Sequence, residues 1–135
     1  MGACYSVSLR IKPKDEKKAF NLLLQGMKRN EETDQANYRL DDFEKEGTKA
    51  DTLDNLLKAV LAGWPYNHFR KSGPDADGFT TYENDFEACY GWEWVMIMAF
   101  QDMAPALVDG SSFYIEPDND YDEFIIENGK CIQKH

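Results

Sequence analysis

Five carboxylate side chains lie close together near the C-terminal end of the sequence and form its densest acidic segment. They are Glu116, Asp118, Asp120, Asp122 and Glu123. Carboxylates in a turn suit either a hard divalent cation or a basic protein surface. The spacing matches no established metal-binding loop, because no glycine follows a third ligand where such loops turn. The segment therefore predicts a partner-binding surface and no metal site, with a solvated acidic turn as the alternative.

The charge of the chain is unevenly distributed. The net charge is −10; residues 1–72 hold 13 basic and 11 acidic side chains, whereas residues 73–135 hold 2 basic and 14 acidic ones. Proteins that bind nucleic acid directly need a basic surface, which this second half lacks. The asymmetry predicts a protein partner with a basic surface, such as a nucleic-acid-binding enzyme, and excludes direct nucleic-acid binding. The alternative is an acidic surface that serves only solubility.

A second hypothesis places chemistry at His68, Cys89 and Glu87. A cysteine with a histidine base performs nucleophilic catalysis when the two come within about 3 Å, and a loop over residues 66–78 would cover such a cleft. No glycine-rich oxyanion motif flanks Cys89, and no nucleotide-binding or hydrolase motif occurs in the chain. A buried structural cysteine is the competing interpretation. The sequence thus favours a non-enzymatic protein without a cofactor, with a small-molecule binder or enzyme as the alternative.

The segment Asp75-Ala76-Asp77-Gly78 has part of the pattern of a calcium-binding loop. If Gly78 takes the sixth loop position, Gly73 and Asn84 stand where the first and last ligands must be acidic. The segment therefore predicts an ordinary turn stabilised by its aspartates.

The first elements are predicted from hydrophobic periodicity. Alternation of apolar and polar residues predicts a strand over 3–12 with one buried face, and apolar residues at helical spacing predict helices from Asp15 to about Arg29 and from Asp51 or Thr52 to Gly63. Residues 30–50 favour no single structure. The 66–78 segment is predicted as a mobile loop and 79–84 as a strand, after which Asn84 and Glu87 resemble the capping pair of a further helix.

Residues 92–104 are almost entirely apolar, which is typical of a buried helix. We expect this helix to lie across the sheet with Trp92, Val95, Met96 and Ala99 buried. Strands follow at 112–116, 121–127 and 130–134. Asn128-Gly129 is a strong signal for a two-residue hairpin, and it sets a register in which Glu127 faces Lys130 and Glu123 faces Lys134.

These elements predict one α+β domain over residues 1–135, with an antiparallel or mixed sheet of about five strands, helices packed on one face and a C-terminal β-meander. Three widely spaced cysteines and a polar segment where a secretory leader would be apolar indicate the cytoplasm, and we expect no membrane association. The sequence leaves the oligomeric state open.

Four short motifs carry a resemblance to a known group of proteins. They are Leu61-Ala62-Gly63-Trp64, Tyr90-Gly91-Trp92-Glu93, Met103-Ala104-Pro105 and Asp109-Gly110-Ser111. With them the chain resembles a loose set of small acidic proteins from bacterial phages and mobile elements. The resemblance implies a small accessory protein, an inhibitor that acts on a host defence or nucleic-acid enzyme. Its motifs are structural, so it assigns no residue a functional role.

Overall fold

The computed structural model describes residues 2–33, 41, 49, 51–61, 69–89, 93–116 and 121–135. The strands within these ranges are β1 (Gly2–Ile11), β2 (Arg70–Ser72), β3 (Thr80–Cys89), β4 (Ser112–Glu116), β5 (Asp122–Glu127) and β6 (Lys130–Gln133). The helices are α1 (Glu16–Glu32), α2 (Leu53–Val60) and α3 (Glu93–Met103), with short 3-10 turns at Pro13–Asp15 and Ala104–Ala106. The predicted α+β class is confirmed.

The strands form one sheet in the order β2-β3-β1-β4-β5-β6, and every neighbouring pair is antiparallel. β1 lies inside the sheet and pairs with β3 along its whole length. The C-terminal meander β4-β5-β6 is confirmed, and so is the hairpin register that sets Glu127 opposite Lys130. The predicted register of Glu123 opposite Lys134 is confirmed too, since the Lys134 backbone N–H donates a hydrogen bond of 2.7 Å to the Glu123 carbonyl. The Lys134 ammonium lies 3.4 Å from the Glu127 carboxylate.

Two predicted elements were wrong. Residues 70–72, predicted as part of a mobile loop, form the edge strand β2; all three of its residues are exposed, so no buried face marked them in the sequence. The helix predicted to start at Asn84 does not form, because β3 continues to residue 89 in register with β1. Ten consecutive residue pairs with a central strand outweigh a local capping preference.

Each strand presents one face to the core and one to solvent, because successive side chains point to opposite sides. Along β1, Ala3, Tyr5, Val7, Leu9 and Ile11 are buried under the helices, whereas Cys4 and Ser6 are exposed. The expected helix α3 is confirmed, with Val95, Met96 and Ala99 buried. Its outer side is wet, since Trp94 is 59% exposed. Trp92 lies outside the described residues.

The helices α1 and α3 pack closely at a glycine. Gly26 is buried on α1, and a Cβ atom there would overlap the carboxylate of Asp102 on α3. Asp102 is held in this position by Arg29, whose guanidinium donates a hydrogen bond of 2.8 Å to Oδ1. Burial raises the pKa of Asp102, and the nearby Arg29 charge opposes that effect.

We expect Gly26→Ala to lower the free energy of unfolding by about 1–3 kcal/mol through overpacking against Asp102. The substitution would otherwise stabilise the helix, since alanine is the better helix former by about 1 kcal/mol. Urea denaturation of Gly26→Ala, of the exposed control Gln25→Ala and of Gly26→Ala combined with Asp102→Ala measures the effect. The double variant should recover part of the loss. A Gly26→Ala protein as stable as the wild type would contradict the packing.

Candidate functional site

The face of the sheet opposite the helices carries a group of carboxylates on three different strands. Glu83, Asp85 and Glu87 occupy alternate positions of β3 and are all exposed. Glu116 at the end of β4 is exposed, and Glu123 on β5 is half-buried. The strand pairings place these side chains on the same side of the sheet. We call this set of five residues the acidic sheet face.

The pairings also show which residues lie next to one another on this face. Cys4 of β1 has Glu87 as its partner on one side and Glu116 on the other. Two residues further along β1, Ser6 lies between Asp85 and Tyr114. Tyr114 in turn faces Glu123 on β5. Neighbouring strands are about 4.8 Å apart, so carboxylates line both sides of the central strand at short range.

The negative charge around Cys4 affects the pKa of its thiol. The thiol donates a weak hydrogen bond of 3.7 Å to Oε1 of Glu87. Its pKa is raised, first by partial desolvation, then by the negative charge of Glu87, with a further contribution from Glu116. The raised pKa lowers the reactivity of Cys4, because the thiolate is the nucleophile.

The cations on this side of the sheet lie at its margins. Arg70 on the edge strand is 3.7 Å from Asp85, and the Lys134 pair with Glu127 lies at the opposite edge. Among the residues that the structure describes, no lysine or arginine forms an ion pair with Glu83, Glu87, Glu116 or Glu123. The centre of the face thus presents negative charge that no lysine or arginine of the described ranges neutralises by an ion pair.

A third cation, Arg10, is held by the turn after β2. Its guanidinium lies 3.4 Å from carboxylate oxygens of both Asp75 and Asp77 and 4.8 Å from the ring centre of Phe79. Oδ1 of Asp75 accepts 2.9 Å hydrogen bonds from the backbone N–H groups of Asp77 and Phe79. The N–H of Phe79 lowers the pKa of Asp75 most, with Asp77 and Arg10 contributing. The predicted ordinary turn is confirmed.

The five residues predicted to bind a partner are not all brought together. Glu116 and Glu123 lie on the acidic sheet face, while Asp118 and Asp120 lie outside the described residues. Asp122 pairs with Ile115 and shares the opposite, helix-covered side of β5 with Phe124. It accepts a hydrogen bond of 3.4 Å from the Gln133 side chain.

Sequence reasoning missed Glu83 and Asp85 and assigned Glu87 to a different site. A signal was present, because Tyr82, Asn84 and Phe86 are buried and alternate with these three acids. That alternation is typical of a strand with one wet face. The apparent helix cap at Asn84 concealed it.

The cleft predicted from His68, Cys89 and Glu87 stays a prediction, because only Glu87 has a described side chain. Glu87 is exposed on the open side of the sheet. The described strand of the 66–78 segment pairs with residues 81–83, several positions away along β3. His68 and the side chain of Cys89 lie outside the described part of the structure.

The structure has a different cleft, between α1, the first turn of α2 and the β2-β3 edge. It has a volume of about 410 Å³ and is lined by Glu16, Lys17, Phe20, Asp51, Thr52, Leu53, Asp54, Lys71 and Tyr82. An adjoining cleft of about 300 Å³ shares Asp54 and Lys71 with it. Volumes of about 300–1,000 Å³ are typical of ligand pockets.

Polar contacts at this cleft centre on Tyr82. Its hydroxyl donates a hydrogen bond of 2.9 Å to Oε1 of Glu16, and the Lys71 ammonium lies 3.5 Å from the same oxygen and 5.3 Å from the Tyr82 ring centre. Burial raises the pKa of Tyr82 far above its ordinary value, and the hydrogen bond to Glu16 and the charge of Asp54 raise it further. Tyr82 therefore stays protonated at neutral pH and serves as a donor, so it cannot act as a base there.

No group of cysteine, histidine, aspartate or glutamate side chains in the described ranges is arranged to hold a metal ion. None of the described helices has the length and apolar composition needed to cross a bilayer. Comparisons with protein-family models, with curated proteins and with solved structures found no match in any of the three. The resemblance to phage and mobile-element proteins therefore stays a prediction.

If the acids around Cys4 set its reactivity, Glu87→Gln combined with Glu116→Gln should speed alkylation of Cys4 by iodoacetamide at about pH 7.5. We expect about a two- to fivefold increase, because removing like charges lowers the thiol pKa and raises the thiolate fraction. Mass spectrometry of the Cys4 peptide gives the rate. Glu127→Gln, on the same side of the sheet but paired with Lys134, serves as the control and should leave the rate unchanged. Equal rates in all three proteins would contradict the placement of these acids.

Proposed function

We propose that this protein is a non-enzymatic binding protein whose acidic sheet face docks against a basic surface of a partner protein. The observation that supports the proposal is the group of central carboxylates, Glu83, Glu87, Glu116 and Glu123, that form no ion pair with a described lysine or arginine. Folding does not need such a group, because like charges repel one another and destabilise the compact state. A partner with complementary charge would remove that repulsion.

The arrangement suits recognition by charge. One exposed ion pair contributes only about 0–1 kcal/mol, but several pairs on a rigid sheet add up and also steer the partner during its approach. The predicted acids Asp118 and Asp120 would extend the surface beyond Glu116. Asp122 lies on the other side of β5, so we leave it out of the proposed surface.

The partner that best fits this surface is a protein that itself binds nucleic acid. Such proteins carry grooves of lysine and arginine that neutralise phosphates, and a rigid row of carboxylates presents a similar pattern of negative charge. With the resemblance to phage and mobile-element proteins, this points to a cytoplasmic accessory protein that inhibits a nucleic-acid enzyme by mimicking the charge of its substrate.

The cleft at Tyr82 supports a second candidate function, the binding of a small organic cation. The Lys71 ammonium lies over the Tyr82 ring and beside the Glu16 carboxylate, which shows that the cleft accommodates a positively charged amine. Asp51 and Asp54 add two further carboxylates to its wall. A free alkylamine would bind there beside Lys71 or in its place.

Affinity capture from a lysate of cells that express the protein tests the proposed docking surface. The test variant changes Glu83, Glu87, Glu116 and Glu123 to glutamine. A control of equal charge changes four exposed acids that do not belong to the acidic sheet face: Glu32→Gln, Asp41→Asn, Asp51→Asn and Asp54→Asn. We expect the test variant to lose partners that the wild type and the control retain at low salt, and we expect about 0.5 M salt to release them from the wild type as well.

Two results would contradict the proposed function. One is that the test variant retains the same partners as the wild type. The other is that these partners are lost from the control variant, which removes the cleft carboxylates Asp51 and Asp54. Thermal unfolding verifies that both variants fold. We expect them to fold because all the substituted side chains are exposed except that of Glu123, which is half-buried.

A further inference from the structure

The short edge strand β2 places basic side chains on both faces of the sheet. Arg70 and Lys71 are successive residues of the strand, so their side chains point to opposite sides. Arg70 lies on the open side, 3.7 Å from Asp85 of the acidic sheet face. Lys71 lies on the helix side, in the cleft beside Glu16 and Tyr82. One strand of three residues therefore contacts both the proposed docking surface and the cleft.

Burial in the core does not hold β2 in place. All three of its residues are exposed, and they pair with residues 81–83 of β3. Segments with few buried apolar contacts and exposed backbone hydrogen bonds open at a low cost in free energy. The contacts of its side chains therefore contribute a large share of what keeps β2 on the sheet.

The two ends of β2 are fixed independently of the strand itself. Phe69, directly before it, is partly buried against the core. In the turn after it, the backbone N–H of Asp75 donates a hydrogen bond of 2.8 Å to the Phe79 carbonyl, and the Asp75 carboxylate pairs with Arg10. Between these two points β2 can separate from β3 while the rest of the sheet stays folded.

The Lys71 contact is better protected from solvent than the Arg70 contact. The Lys71 ammonium lies 3.5 Å from Oε1 of Glu16 and 5.3 Å from the Tyr82 ring centre. The side chains of Lys71 and Glu16 are 49% and 30% exposed. Those of Arg70 and Asp85 are 63% and 70% exposed, so solvent screens their attraction more strongly. The position of Arg70 on the acidic sheet face therefore depends on Lys71, which holds the strand that carries it.

We propose that β2 is an autoinhibitory strap, in which Lys71 is anchored in the cleft and holds Arg70 beside Asp85. A basic partner must then open β2 before it can use the whole acidic sheet face. The inference rests on the proposed function for this consequence and adds to it a means of regulating the docking surface. The opening of β2 is a property of the protein alone and is measured without a partner.

Hydrogen exchange followed by NMR tests whether Lys71 holds β2. Lys71→Met removes the ammonium and keeps an apolar side chain over Tyr82. We expect the amides of residues 70–72 to exchange about three- to tenfold faster in this variant, because opening no longer breaks the contact with Glu16. Glu16→Gln weakens the same contact from the other side and should also speed exchange. Lys28→Met, an exposed position toward the other end of α1, makes the same change in charge as Lys71→Met and should leave the rates unchanged.

The consequence for docking is measured with a labelled peptide of four arginines with blocked ends. Fluorescence anisotropy at about 50 mM salt gives its affinity. Lys71→Met should bind the peptide about two- to fourfold tighter than Lys28→Met does, because Asp85 becomes available for an ion pair. In a protein that already carries Arg70→Met, the two lysine substitutions should have equal effects, since no Arg70 remains to be released. A difference that persists there would mean that the peptide enters the vacated cleft, and it would overturn the inference.

The remaining outcomes distinguish this inference from the proposed function. Exchange at residues 70–72 that is as slow in Lys71→Met as in the wild type would overturn the inference and leave the docking surface standing. Faster exchange with equal peptide affinities of Lys71→Met and Lys28→Met would overturn it as well, because β2 would then open without affecting the surface. If the four-glutamine variant of the acidic sheet face binds the peptide as tightly as the wild type does, the proposed function fails, and the regulation fails with it.

Discussion

The strict alternation of apolar and polar residues along β1 is the constraint on which the rest of the structure depends. Because β1 pairs with β3 over ten residues and with β4 over five, its two faces become the two faces of the sheet. A shift of one residue in either pairing would exchange the buried and exposed sets, so the register is fixed by burial. The helices must cover the side that carries Tyr5, Leu9 and Ile11, and the other side stays open to solvent.

Many of the acidic residues of segment 73–135 lie on the open side of the sheet. β3, β4 and β5 all come from that segment. The pairings of β3 and β4 with β1, and of β5 with β4, collect their solvent-facing carboxylates on one surface. The basic side chains that approach this surface come from its margins, where Arg10 and Lys134 are held by Asp75, Asp77 and Glu127. An uneven charge along the sequence thus becomes an uneven charge in space, with its centre beside Cys4 and Ser6.

Elements with a clear period were predicted from the sequence: β1, the meander with its hairpin at Asn128, and the core-facing residues of α3. β2 was not predicted, because its three residues at the sheet edge are all exposed and show no alternation of apolar and polar side chains. The end of β3 was misjudged because local preferences at Asn84 compete with a long-range pairing that the sequence does not reveal. For the same reason the sequence predicted Glu116 and Glu123 as binding residues but did not predict Glu83 and Asp85, which join them on one face only through β1. The cleft at Tyr82 depends on contacts between four separate segments, which no local pattern encodes.

The central claim is that partners bind on the open side of the sheet and not at the cleft. The most direct measurement is a two-dimensional ¹⁵N–¹H NMR titration of the protein with a short arginine-rich peptide at low salt. We expect the largest amide shifts on residues 4–8, 83–87 and 112–116, with little change along α1 and α2. Shifts that concentrate at Asp51–Asn55 and Lys71, with the open side unchanged, would contradict it.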